Sequence, residues 1–134
     1  MPSNKLTVPV VFISSLFIFQ AELYAQVFSE QVWEGSWVAD GSLFEVRIEV
    51  ENSVMTISQI ESMGFVWQSK SAKVAGNIAT VEVEYIGVTG IAQAQVISED
   101  TAVVSALSCK PNYMVICLLT KDQQVIFRKT TKSN

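Results

Sequence analysis

From Trp37 to the C-terminus the chain is a succession of short segments rich in Val, Ile, Thr, Phe and Tyr, divided by small groups of Gly, Asn, Asp, Ser, Lys or Pro. Evenly spaced strand-like segments joined by tight turns specify a closed or sandwiched antiparallel sheet. The segments read as strands are Ser36–Ala39, Ser42–Val50, Val54–Ile60, Met63–Val74, Ile78–Ile86, Thr89–Ile97, Thr101–Leu107, Tyr113–Leu119 and Gln124–Lys129. None has a sustained helical period. The connections are nearly all hairpin length, so each strand is expected to pair with the next in a meander.

Alternation separates inside from outside. In Ser42–Val50 the apolar set is Phe44, Val46, Ile48 and Val50, interleaved with Glu45, Arg47 and Glu49. In Ile78–Ile86, Ala79, Val81, Val83 and Tyr85 oppose Thr80, Glu82 and Glu84, and Phe65 and Trp67 share a face in the segment before it. A sheet with one apolar face must close or find a second sheet, and short sequential turns favour closure. Two stretches blur the pattern: Val54–Ile60 is apolar at both parities and Tyr113–Leu119 almost continuously so, which predicts a bulge or a covered face there. The expected fold is all-β, a small antiparallel up-and-down β-barrel of about eight strands.

Ahead of it, residues 1–25 have the three parts of a cleaved signal peptide. They are a start carrying Lys5, the apolar run Leu6–Phe19, and the more polar Gln20–Ala25 ending in a small residue. The run is shorter than the about 20 residues of a spanning helix, so a stable membrane anchor is not expected. Leu23 is larger than the usual residue before a cleavage site, which leaves the position open by a few residues. Residues 26–134 then form a single domain, large enough for one core and too small for two. The expected location is periplasmic or extracellular.

Cys109 and Cys117 are the only cysteines. In an oxidising space they are expected to form a structural disulfide worth about 2–3 kcal/mol by loop closure. Their spacing is not the two-residue gap of a redox pair. A plain hairpin turning at Lys110–Tyr113 would not place them opposite one another, so the bridge demands a wider, irregular loop.

The chain contains no histidine, which removes imidazole bases and the commonest zinc and copper sites. The pairs Glu45/Glu49 and Glu82/Glu84 fall on outward faces, where nothing raises a carboxyl pKa. No serine sits in a G-x-S-x-G elbow, and no glycine-rich loop opens a helix to cradle phosphate. Net charge is −4, and the one cationic group, Arg128, Lys129 and Lys132, reads as a solvated tail rather than a nucleic-acid footprint. No catalytic constellation, metal site or cofactor is expected.

Gly35-Ser36-Trp37, entering the first strand, resembles the G-x-W signature of lipocalin-type (calycin) barrels, and Arg128 resembles the basic residue of their last strand. The resemblance implies that Trp37 closes the narrow end of the barrel and that Arg128 lies over its indole, a contact worth about 1–2 kcal/mol when partly desolvated. It covers two short motifs, and neither a T-D-Y-type element nor a C-terminal helix accompanies them.

What remains is binding. Phe44, Phe65, Trp67 and Tyr85, with Val46, Val81 and Val83, would line the interior and hold a small hydrophobic ligand with one polar anchor. The same residues suit a packed core, and filling is the favoured reading of so small a barrel. The carrier reading comes first. A protein-interaction module, such as an inhibitor or an envelope-assembly factor, stands second, and a small-barrel isomerase or cyclase third. A connected cavity above ~300 Å³ with Trp67 on its wall would favour the carrier.

Overall fold

The computed structural model describes residues 28–70 and 72–130, with positions 3, 5, 7 and 9 ahead of them. The signal-peptide reading therefore falls almost wholly outside the described residues. A 3-10 turn, Glu30–Trp33, leads into β1 (Gly35–Ala39), β2 (Glu45–Glu51), β3 (Val54–Glu61), β4 (Trp67–Ser69), β5 (Ala72–Ala75), β6 (Ile78–Tyr85), β7 (Val88–Ser98) and β8 (Thr101–Lys110). A short helix, α1 (Val115–Thr120), precedes the last strand, β9 (Gln124–Lys129).

Every pairing is antiparallel. β4 and β5 both pair with β6, Trp67 opposite Tyr85 and Lys73 opposite Thr80, so they are two halves of one stave, the first ending at Ser69 and the second starting at Ala72. β9 returns to β1 with Trp37 opposite Lys129, which closes an eight-stave barrel. Closure pairs the strand edges except where β3 and β4 stand apart.

Alternation built this sheet as period-two patterning requires: Val46 and Ile48 are buried while Arg47 and Glu49 are exposed, and Ala72 and Val74 are buried around exposed Lys73. The both-parity stretch in β3 faces a bulge. Glu45 pairs with Glu61 and Val46 with Gln59, leaving Ile60 as the extra residue. β3 and β5 share a ladder only at Val54–Lys73 and Met55–Ala72. Above it the gap between β3 and β4 is pinned by Gln59, whose Nε2 donates to the Trp67 carbonyl at 2.6 Å.

In a meander, alternate connections share an end. The connections after β2, β5 and β7 lie with the 3-10 turn at the base, and those after β1, β3, β6 and β8 lie at the opposite end. The base is sealed by two indoles, Trp33 and Trp37, both 1% exposed. Trp33 Nε1 donates to the Gly76 carbonyl at 3.0 Å, and Trp37 Nε1 to the Trp33 carbonyl at 2.8 Å. Each ring thus contributes apolar area without orphaning its N–H.

Two strand assignments need correction. Tyr113–Leu119 is not a strand, because most of it belongs to α1. The run is too short for its period to show, and continuous apolarity fits either state. The bridge decides it: the Cα atoms of Cys109 and Cys117 are 5.4 Å apart and the sulfurs are bonded. A helical turn brings Cys117 back over β8, which makes α1 the irregular loop that the spacing demands. Met63–Val74, read as one strand, instead begins its ladder at Trp67 and is described as two strands, Trp67–Ser69 and Ala72–Ala75, with residues 62–66 looping out. The disulfide is compatible with an oxidising compartment.

Candidate functional site

A cavity of about 530 Å³ runs along the barrel interior, so the filled interior favoured on size alone is corrected. The cause lies in the distribution of side-chain volume. On one side stand Phe44, Trp67 and Phe127, and on the other Ala79, Ala92, Ala94 and Ala102, which project inward from β6, β7 and β8. Alanine at facing positions leaves a void where Leu or Ile would fill it. This alanine wall is what the sequence reading missed, and its signal was present in Ala92-Gln93-Ala94, alternating small with polar.

All seven side chains expected to face inward do so: Phe44, Val46, Phe65, Trp67, Val81, Val83 and Tyr85 line this cavity. Phe44 packs on Trp67 with ring centroids 5.8 Å apart and on Phe127 edge-on at 6.2 Å, while Phe65 meets Tyr85 edge-on at 5.7 Å. The cavity ends on Trp33 and Trp37 at the base and reaches Ser42, Met63, Phe65, Tyr85 and Ile116 at the other end, so each of the four connections or adjoining strand ends there contributes to the mouth. A side chamber of about 190 Å³ lies under α1, between Tyr85, Ala106, Cys109 and Ile116.

Among the described residues no charged side chain lines either space. The carboxylates stay outside, as alternation dictates: Glu82 pairs with Lys70 at 3.2 Å and Glu49 with Arg47 at 3.7 Å, both across exposed surface. Among the described residues no three His, Cys, Asp or Glu side chains cluster closely enough to hold a metal ion. One polar atom of the wall is left over. Trp67 Nε1 is buried with no hydrogen-bond partner, a deficit of about 1–3 kcal/mol for a desolvated donor.

The basic residue over Trp37 is Lys129 rather than Arg128. Its Nζ sits 5.1 Å from the indole centroid and donates to the Val32 carbonyl. Arg128, one residue earlier, points to the outer face and pairs with Asp40 at 3.5 Å. In a strand a one-residue difference exchanges the two faces, so only one of these neighbours can reach the base plug. Burial lowers the Lys129 pKa below its usual 10.5, against the opposing pull of Glu34, Glu99 and Asp100.

Compared with known protein families, characterised proteins and solved structures, the chain matches none.

Proposed function

We propose that the protein is a secreted, lipocalin-like carrier that holds a small hydrophobic molecule inside its barrel. The observation that carries this reading is the cavity itself. Its volume lies within the roughly 300–1,000 Å³ range of small-molecule sites, and its wall is apolar and aromatic. A barrel needing only stability would place larger side chains where Ala79, Ala92, Ala94 and Ala102 stand, since each unfilled methyl-sized gap costs about 1 kcal/mol. Gly35-Ser36-Trp37 beneath a lysine from the last strand supports the family resemblance, with Lys129 in the place first given to Arg128. The disulfide supports the periplasmic or extracellular location.

Among the described residues no carboxylate or lysine lines the cavity, which favours the carrier over the isomerase or cyclase reading. Native mass spectrometry of the protein purified from the cells that make it is the test. A retained adduct of a few hundred daltons, lost on denaturation, is expected, and a bare mass that still refuses added fatty acid overturns the assignment.

A further inference from the structure

We propose that the mouth end of the barrel is a docking surface for a lipid bilayer, through whose outer leaflet the cavity exchanges its contents. The exchange rests on the carrier reading, whereas the docking stands on the rim alone.

The observation is the placement of the most exposed apolar side chains. Among the described residues, four large hydrophobic side chains are at least 70% exposed: Leu43 at 75%, Val66 at 79%, Ile86 at 70% and Tyr113 at 75%. Each comes from a different connection, and these are the four connections of the mouth end. Val115, Leu118 and Leu119 of α1 extend the same rim. The base turns, Asn52-Ser53, Gly76-Asn77 and Glu99-Asp100, carry no such residue. Scattered exposed apolar residues are ordinary, but a ring of them around one opening is not.

Turn chemistry makes the contrast sharper. At the base the left-handed positions are held by Asn52, Ser53 and Gly76, residue types that tolerate φ near +60°. At the mouth Gly41, Gly64, Gly87 and Asp122 hold such positions too, but so do Met63 (φ +54°) and Ile86 (φ +46°). A β-branched side chain in that region is a steric outlier, and Ile86 gains no packing for it, being exposed. Asn would suit the turn better. An exposed isoleucine kept against local preference points to a role outside the fold.

Charge decides the occupant. The tips 41–44, 62–67, 85–90 and 111–120 contain no charged residue; Asp40, Glu45, Glu61, Glu84, Lys110, Lys121 and Asp122 flank them at the mouth end, and Glu30, Glu34, Glu51, Glu99 and Asp100 lie at or near the base. A bilayer surface receives the uncharged apolar tips, while the flanking charged side chains stay in the hydrated headgroup region, and the excess of acids favours neutral over anionic headgroups. A ring around an opening also matches a broad apolar phase better than a narrow peptide, and lets an apolar ligand pass from cavity to leaflet without crossing water. The tips would insert as far as an interfacial side chain does, with no spanning element.

The test is flotation with phosphatidylcholine vesicles, with and without one-fifth phosphatidylglycerol, for the intact protein and for the triple variant Leu43→Ser, Val66→Ser, Ile86→Asn. None of these three lines the cavity, so uptake of an apolar fluorescent probe from water should stay at the wild-type level. The expected loss of vesicle partitioning is at least about tenfold, with an unchanged thermal midpoint. Vesicles of brominated lipid should quench the intact protein and spare Trp67→Phe, because Trp33 and Trp37 lie at the far end. Flotation by a protein that takes up no probe would support docking while refuting the carrier. Probe uptake without flotation, quenching that persists in Trp67→Phe, or a vesicle-free dimer abolished by the triple variant would each overturn the docking, the last in favour of a second copy of the chain.

Discussion

Lys129 carries its charge to the base of the barrel on an apolar stem, where the ammonium is held between the Trp37 ring and the Val32 carbonyl. Lys129→Ala removes a cation–π contact, a charged hydrogen bond and the packing of the stem, for an expected loss of about 1–2 kcal/mol in denaturant unfolding. Arg128→Ala, which removes only an exposed pair, should cost less than about 0.5 kcal/mol. Equal losses would show that Lys129 does not act as the plug. Burial lowers the folded pKa of Lys129 below the 10.5 of the unfolded chain. Between those two values the unfolded state holds a proton that the folded state has released, so stability rises with pH through that window. Lys129→Met should flatten that rise. Which of two adjacent basic residues serves the base was not legible in Phe127-Arg128-Lys129, because the Arg128 assignment came from the motif's general position, whereas the closing register Trp37–Lys129 fixes the face.

At the scale of elements, α1 is the part held least by its own sequence. It has six residues, no side-chain cap, and outward Val115, Leu118 and Leu119, and it is tied to the barrel through buried Cys117, the inward Ile116 and Thr120. So short a helix is not stable alone. Reducing the disulfide, or Cys117→Ser with Cys109→Ser, should therefore cost about 2–3 kcal/mol and release α1 while the eight staves persist. Hydrogen exchange would then show fast amides confined to residues 111–123, with faster dissociation of a bound apolar probe. Loss of protection across the whole sheet would contradict this division. The strands with clean alternation, such as β2 and β6, were legible because one buried face imposes period two. α1 and the break between β4 and β5 were not, since in both a tertiary demand, the bridge in one and closure onto β6 in the other, overrides an apolar pattern that is locally ambiguous.

The molecule as a whole is organised along its axis, with an indole plug, an apolar chamber and a rim of exposed apolar tips in that order. The aromatic wall was readable from three strands taken singly, but the chamber was not. Whether an interior is filled depends on which side chains face one another across a closed sheet, and alanines on β6, β7 and β8 meet the aromatics only after closure. That chamber is the central claim, and titration of a small apolar fluorophore such as N-phenyl-1-naphthylamine into the intact protein and into Ala94→Trp tests it directly. Saturable binding at one site per chain is predicted for the intact protein. It should be lost in a variant whose indole occupies the void and whose circular dichroism is unchanged. Binding that survives Ala94→Trp undiminished, or no saturable binding at all, would contradict the account.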